Sequence, residues 1–159
     1  MEYKRVFVPG GTYFFTVVTD MRQPIFSTED AITVFKNELV KIKKDYPFKI
    51  DAMVILPDHV HTIWTLPEND TNYPTRWRLI KANFSRKWIK KFNNPLEKSP
   101  SRMRKGENTI WQRRYWEHTI ISADDYYQHL DYVIYKPVRH GFGNDPKDWK
   151  YSYVSNNAW

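Results

Sequence analysis

The alternation of apolar and polar residues predicts four strands. Each predicted strand is rich in β-branched and aromatic side chains and is bounded by residues that favour turns. The four segments are residues 12–19, 49–56, 59–66 and 110–121. Only Pro57 and Asp58, a turn signal, separate the second segment from the third, so these two strands should form an antiparallel hairpin.

Apolar residues spaced three and four positions apart predict three amphipathic helices. The first begins at a Ser-Thr cap at 27–28 and runs to about residue 45. The second is capped by Thr75 and should turn its apolar residues inward and its basic residues outward. The third begins at Ser122 and should end just before Pro137, which cannot continue a helix.

The order β-α-β-β-α-β-α predicts an α+β fold of the ferredoxin-like, split βαβ type. An antiparallel sheet then carries helices on one face, and a further helix follows at the C-terminal side. We expect one domain over residues 1–159, with a basic, mobile loop at about 93–108. The aromatic tail after Gly143 should pack back on the sheet.

Composition narrows the class of protein. The 159 residues are 41% hydrophobic and 17% aromatic, which argues against a disordered chain. No apolar stretch approaches the roughly 20 residues of a membrane-spanning helix, so we expect no membrane partner. The absence of cysteine excludes a disulfide scaffold, a zinc ribbon and a thiol nucleophile.

Positive charge is concentrated in one segment of the chain. The net charge is +7, but residues 76–105 alone carry +10 and the rest of the chain carries −3. Such a concentration attracts polyanions, and nucleic acid is the polyanion that we expect. The alternative is a solvated helix face followed by a basic loop.

Two histidines on the third predicted strand could hold a metal ion. His59 and His61 are two residues apart, so their imidazoles lie on the same face of a strand. This spacing suits two ligands of one divalent ion. A His-x-His pair also arises by chance on polar strands, so the motif is weak by itself.

A tyrosine on the third helix is a candidate nucleophile. Tyr132 and Lys136 are four residues apart and therefore share one helix face. A phenol becomes nucleophilic when a nearby cation or base favours the phenolate. The alternative is that Tyr132 is one more core aromatic among 11 tyrosines, and the helix pattern alone favours that alternative.

Several short motifs in one order give the chain a family resemblance. It resembles the His-hydrophobic-His single-tyrosine transposases of the IS200-like group, and among them the REP-associated tyrosine transposases. The matching stretches are PGGTYFFTV at 9–17, LPDHVH at 56–61, TRWRLIK at 75–81, IWQ at 110–112, WEH at 116–118, and DY at 131–132 with PVRHG at 137–141.

The resemblance implies a DNA strand transferase. His59 and His61 would hold Mg²⁺ or Mn²⁺, which polarises a phosphate of single-stranded DNA. Tyr132, at the position of the family nucleophile, would attack this phosphate, giving a 5′-phosphotyrosine link and a free 3′-hydroxyl. Relatives recognise short hairpins, the repetitive extragenic palindromes (REP), and a small single-stranded guide beside them. A bacterial cytoplasmic location, nucleoid-associated when bound, follows from this role.

Lys136 departs from the family pattern. The family usually has Asn or Gln at this position as a third metal ligand, whereas a protonated lysine cannot coordinate a cation. The metal could then be held by the two histidines with water or with Gln128, His129 or Asp131. Alternatively, Lys136 takes over part of the role of the cation, by favouring the Tyr132 phenolate or by contacting the phosphate.

Basic residues are the candidate DNA contacts. Arg76, Arg78 and Lys81 on the second helix are the first candidates for hairpin phosphates. At the N-terminus, Lys4 and Arg5 beside Tyr3 could hold the single-stranded guide. The remaining candidates lie further along the basic segment. They are Lys87, Arg102, Arg104 and Lys105.

Three functions compete for this sequence. The first is the metal-dependent endonuclease and strand transferase. The second is a domesticated hairpin-binding protein with weak or lost catalysis, which Lys136 favours. The third is an RNA-binding domain, for which the chain lacks an RNP-type signature. The REP-associated relatives are more self-contained than the classical dimeric members, so we expect a monomer, with a dimer as the alternative.

Overall fold

The computed structural model describes residues 6–92 and 110–155. These residues form five strands and three α-helices, of which the first seven elements follow the predicted order and the last strand is additional. The elements are β1 (Thr12–Val18), α1 (Glu29–Asp45), β2 (Lys49–Leu56), β3 (His59–Thr65), α2 (Tyr73–Phe92), β4 (Trp116–Thr119), α3 (Ala123–Arg139) and β5 (Ser152–Val154). The predicted loop at 93–108 lies outside the described residues. So do the candidate contacts Lys4, Arg5, Arg102, Arg104 and Lys105.

The five strands form one antiparallel sheet in the order β4-β1-β3-β2-β5. The first four strands have the split βαβ arrangement, which confirms the predicted fold class. The predicted hairpin is also confirmed, because Leu56 of β2 pairs with His59 of β3 across the Pro57-Asp58 turn. The tail returns to the sheet as predicted and adds β5 to the free edge of β2.

One face of the sheet is covered by α1 and α2. The predicted apolar stripe of α1 is buried at Ile32, Phe35, Leu39 and Ile42. Aromatic side chains fill most of the space between sheet and helices. Trp64 of β3, for example, stacks on a tryptophan of α2 with 4.3 Å between ring centroids. Complete burial of side chains of this size contributes roughly 2–3 kcal/mol each, so this layer provides most of the stability.

The opposite face is covered by α3. Its buried residue Val133 belongs to a smaller apolar cluster that includes Phe14 of β1 and Ile63 of β3. Ser122 caps the start of this helix, as predicted. Its hydroxyl accepts a hydrogen bond from the backbone N–H of Asp125. Helices therefore lie on both sides of the sheet, two on one side and one on the other.

Three predicted boundaries were wrong. The helix α3 continues through Pro137 to Arg139, because a proline in the last turn removes only one hydrogen bond from the helix. The helix α2 begins before Thr75, because the Asn72 side chain accepts a hydrogen bond from the Thr75 N–H. The strand predicted at 110–121 is paired only from Trp116 to Thr119, apart from one isolated bridge before it.

Arg76 was predicted to face outward and to contact DNA, but it is buried. Only 1% of its surface is exposed. Its guanidinium forms an ion pair with Asp70 at 2.8 Å and also donates to the carbonyls of Tyr46 and Pro47. The hydrogen bond from Arg76 lowers the pKa of Asp70. This arginine therefore joins the start of α2 to the turn after α1 and is unavailable to a hairpin.

Among the described residues, no helix has the length and the apolar character that crossing a membrane requires.

We expect Arg76→Ala to lower the free energy of unfolding by about 3 kcal/mol or more. The substitution leaves Asp70 and two backbone carbonyls without their cationic partner. Arg78→Ala, two residues away on the exposed side of α2, is the matched control and should change the same quantity by less than about 0.5 kcal/mol. Urea unfolding measures both, and equal losses in the two variants would contradict the structural role of Arg76.

Candidate active site

Two buried imidazoles lie side by side on the face of the sheet that α3 covers. His59 and His61 of β3 are 5% and 3% exposed, and their ring centroids are 4.8 Å apart. Strand alternation places them on the same face as Ile63, which packs under α3. The two histidines therefore share one face of the sheet, as predicted.

Each imidazole is oriented by a hydrogen bond at Nδ1. His59 Nδ1 is 2.6 Å from Asp58 Oδ1, and His61 Nδ1 is 2.7 Å from Thr16 Oγ1. Arg22 donates to Asp58 at 3.1 Å and holds that carboxylate in turn. The Nε2 atom of His61 is buried and has no hydrogen-bond partner among the described residues. It therefore carries a lone pair or a proton that the described residues do not use.

Burial keeps both imidazoles neutral. It lowers the pKa of His61 to about 2, and electrostatic repulsion by His59 and Lys136 contributes to this shift. Burial also lowers the pKa of His59, against the opposing hydrogen bond to Asp58. Although burial opposes it, the hydrogen bond with His59 lowers the pKa of Asp58. A neutral imidazole whose Nδ1–H donates to an oxygen is the form that can bind a metal ion through the lone pair on Nε2.

Tyr132 of α3 packs against His61, one of the two histidines. Its ring meets that of His61 edge to face, with 5.1 Å between centroids, and also contacts Phe14. Lys136 Nζ donates to the Tyr132 hydroxyl at 2.9 Å. The guanidinium of Arg139 lies 5.7 Å from the centre of the same ring. Tyr132 therefore lies within the field of two cations and against one buried imidazole, that of His61.

Contacts outside the helix fix α3 in this position. Tyr126 near its start donates a hydrogen bond to Asp51 of β2 at 2.9 Å. After the helix, Trp149 donates from Nε1 to the Ile55 carbonyl at 2.9 Å. The first contact holds the start of α3 against β2, and the second holds the segment that follows the helix to the same strand.

Comparison with known proteins agrees with this architecture. A family model described as "Transposase IS200 like" matches residues 8–133. This range includes both histidines, Thr16, Asp58 and Tyr132. The chain belongs to the IS200-like transposase family.

The relatives of this transposase narrow its group. A REP-associated tyrosine transposase of Escherichia coli K12 is 38% identical over 152 residues, which cover 95% of this chain and 81% of the relative. A relative from Haemophilus influenzae, provisionally named in the same class, is 42% identical over 154 residues and covers 95% and 84%. A solved REP-associated tyrosine transposase bound to a REP hairpin is 37% identical, with a TM-score of 0.77, over 98% of this chain and 84% of that one.

The other metal ligands suggested by the sequence are exposed or have contacts of their own. Gln128 and Asp131 are exposed on α3. His129 has its Nδ1 2.8 Å from the Asp125 carbonyl oxygen and stacks on His118 with 4.5 Å between ring centroids. The histidine that lies beside the pair was not among the ligands that the sequence suggested. His140, at the end of α3, lies 5.6 Å from the His59 ring.

A second group of potential metal ligands in the transposase lies toward the start of α3. Atoms of His118, Asp125 and His129 that could bind an ion all lie within 4.8 Å of one another. In this structure they bind each other, since His118 Nε2 is 2.8 Å from an Asp125 carboxylate oxygen. The same carboxylate accepts a hydrogen bond from the Ile121 N–H. The group thus also joins β4 to the first turn of α3.

The basic candidates on α2 of the transposase have different surroundings. Arg78 is exposed. Lys81 donates to the Gln112 carbonyl at 3.0 Å, and Lys87 forms an ion pair with the buried Glu38. The predicted basic surface is therefore smaller on this helix than the sequence suggests, because Arg76 is buried and Lys87 is paired.

Sequence reasoning missed the residues that orient the histidines. Asp58 was interpreted only as part of a turn, although its place beside His59 in the chain was a usable signal. Thr16 lies 45 residues from His61, and only the pairing register of β1 with β3 brings them together. Arg22 lies in a turn where both it and Met21 have left-handed backbone angles, and no sequence pattern indicates this conformation.

The stability of the metal-free transposase should fall in acid because of His61. Below the pKa of an unfolded histidine, about 6.5, the unfolded chain binds a proton that the folded chain does not. The free energy of unfolding should then drop by up to about 1.4 kcal/mol per pH unit from this group between pH 6.5 and 4.5. Urea unfolding with EDTA measures the slope. It should be shallower in His61→Gln, and identical slopes would count against a neutral, buried His61.

Proposed function

We propose that this transposase cuts and rejoins single-stranded DNA at REP-type hairpins, with Tyr132 as the nucleophile. One observation carries the proposal. The Tyr132 hydroxyl accepts a hydrogen bond from Lys136, and its ring packs against His61, whose buried Nε2 has no partner among the described residues. A nucleophile, a cation and metal-binding nitrogens are thus close together.

The reaction exchanges one phosphodiester for another. The Tyr132 hydroxyl gives up its proton to solvent and its oxygen attacks the scissile phosphorus, so that the bond from phosphorus to the 3′-oxygen breaks. The 3′-oxygen takes up a proton, so the products are a 5′-phosphotyrosine and a free 3′-hydroxyl. Attack of another 3′-hydroxyl on the phosphotyrosine reverses the step and rejoins the strand. The phosphate remains esterified throughout, so the reaction needs no ATP.

Lys136 supports this chemistry at the nucleophile. Its ammonium group donates to the Tyr132 oxygen at 2.9 Å, and a donor at this distance stabilises the phenolate more than the phenol. Arg139, whose guanidinium is 5.7 Å from the centre of the Tyr132 ring, adds positive charge where the phosphate would bind. The lysine therefore acts through charge, a role different from that of the amide ligand in the family pattern.

His59 and His61 would hold a divalent metal ion through their Nε2 atoms. The donor set fits, because each Nδ1 already has an oxygen partner and the His61 Nε2 has none. Imidazole ligands favour Mn²⁺ over Mg²⁺, although either could be used with water as further ligand. When bound, the ion polarises the phosphate and stabilises the charge that develops on its oxygens.

The substrate follows from charge and from the relatives. The solved relative that covers nearly the whole chain is bound to a REP hairpin. The basic segment at 76–105, apart from the buried Arg76, supplies cations for hairpin phosphates, with Arg78 exposed on α2. Lys81 lies on the same helix. Tyr132 and His61 of one chain are already in contact, which supports cleavage within a single chain and a monomeric enzyme.

A hairpin-binding protein with weak catalysis is the alternative function. The observation that favours it is Lys136, since a cation at the third ligand position repels a metal ion held by the histidines. This alternative keeps hairpin binding and loses the covalent intermediate.

Tyr132→Phe should abolish the covalent DNA adduct. The control is Tyr135→Phe, an exposed tyrosine one turn further along α3, which should form the adduct at the rate of the unmodified chain. Both variants should still bind the hairpin, because neither loses a basic residue. The assay incubates a labelled single-stranded REP hairpin with Mn²⁺ and separates adducts on denaturing gels. An adduct that persists without Tyr132 and disappears without Tyr135 would reverse the assignment.

Metal removal should stop adduct formation and leave hairpin binding intact. His61→Ala should weaken Mn²⁺ binding at least tenfold, measured by electron paramagnetic resonance, because one of two nitrogen ligands is lost. His118→Ala is the matched control, since it removes an imidazole from the second ligand group on the same face. A loss of Mn²⁺ binding in His118→Ala alone would move the metal to that group. Salt-sensitive binding with no adduct in any metal would support the alternative function.

A further inference from the structure

A large aromatic side chain is exposed on the edge strand β4. Trp116 is 56% exposed, whereas most of the other tryptophans of the described residues are buried. Leaving an indole in water forgoes the stabilisation that its burial would give, roughly 2–3 kcal/mol for a side chain of this size.

The pairing register aligns Trp116 with the candidate active site. Trp116 pairs directly with Thr16 of β1, and Thr16 pairs directly with His61 of β3. Residues paired in this way project from the same face of an antiparallel sheet. Trp116, Thr16 and His61 therefore form one row across the sheet on the face that carries Tyr132. With strands about 4.8 Å apart, the indole begins roughly 10 Å from the imidazole of His61.

The surroundings of Trp116 suit a nucleobase. Helix α3 packs on the small apolar cluster formed by β1, β2 and β3, whereas more than half of the Trp116 surface on the edge strand is exposed. Arg113 and Arg114, just before β4, are exposed and add positive charge near the indole. An exposed aromatic ring next to cations is the arrangement by which proteins hold single-stranded nucleic acid without reading its sequence.

We propose that Trp116 is a stacking site for an unpaired DNA base next to the scissile phosphate. This inference rests on the proposed function, because it takes the histidine and Tyr132 cluster as the place where the phosphate lies. The base stacks on the indole while its backbone crosses β1 toward Tyr132. Trp116 thereby fixes which phosphate of the single strand is presented to the nucleophile.

The first measurement compares the affinity of variants for a REP hairpin with a single-stranded flank. In a Tyr132→Phe background, which cannot cleave, Trp116→Ala should raise Kd about tenfold, a typical effect of removing one base-stacking ring. Trp116→Phe should restore most of the affinity. Tyr153→Ala is the control, because this tyrosine is 50% exposed on the opposite edge strand and pairs with Met53, which packs on the α1–α2 side.

The second measurement removes the base instead of the indole. An abasic nucleotide is introduced at each flank position in turn. With Trp116 present, one position should lose about tenfold in affinity, and in Trp116→Ala that position should show no further loss. Unchanged affinity in Trp116→Ala, or losses that add at every position, would overturn the stacking site. Thermal unfolding checks the fold, and Trp116→Thr, which suits a strand, replaces Trp116→Ala if the latter is destabilised.

The two proposals fail in different ways. If the unmodified chain forms no adduct with any metal, the proposed chemistry is wrong, whereas the affinity measurements still decide the stacking site. If the unmodified chain and Trp116→Ala form the adduct at equal rates and bind the flank equally, the chemistry stands and the stacking site is wrong.

Discussion

The register between β1 and β3 is the constraint on which the candidate active site depends. It places Thr16 opposite His61, so that the hydroxyl can orient the buried imidazole, and it places Phe14 where the Tyr132 ring can pack. A shift of one residue would turn both histidines toward the aromatic core under α1 and α2. There they would be buried without the partners that offset their desolvation. The apolar residues on either face make that shift unfavourable, so the same pattern that stabilises the sheet also fixes the chemistry.

The two faces of the sheet have different physical properties. The face under α1 and α2 is built from large aromatic and aliphatic side chains and provides most of the burial. The face under α3 has a small apolar cluster and tolerates two buried imidazoles, an exposed indole and a tyrosine. Because stability comes mainly from the first face, the second face can hold polar groups with unused hydrogen-bonding capacity. This division lets a small protein keep a polar site close to its core.

The sequence predicted those features that depend on local periodicity. The alternation of strand residues placed His59 and His61 together, and the helix repeat placed Lys136 beside Tyr132. The sequence could not predict the burial of Arg76, because the helix pattern defines a face but does not say which loop lies against it. There, Asp70 and two carbonyls supply partners that make burial of a guanidinium favourable. Nor could it predict the Thr16–His61 pair or the row that includes Trp116, because strand register between distant segments is a property of the assembled sheet.

The short strand β5 has a consequence for how the sheet meets other molecules. Ser152, Tyr153 and Val154 pair with β2, and hydrogen bonds from Ile55 to Tyr151 and from Ser155 to Asp51 extend the pairing at both ends. These contacts occupy the backbone groups of β2 that would otherwise recruit an extended strand from another chain. The opposite edge, β4, pairs over only four residues and offers little template for strand addition. The chain thus limits edge-to-edge aggregation by itself. The edge beside Trp116 can then meet single-stranded DNA without also recruiting another protein strand.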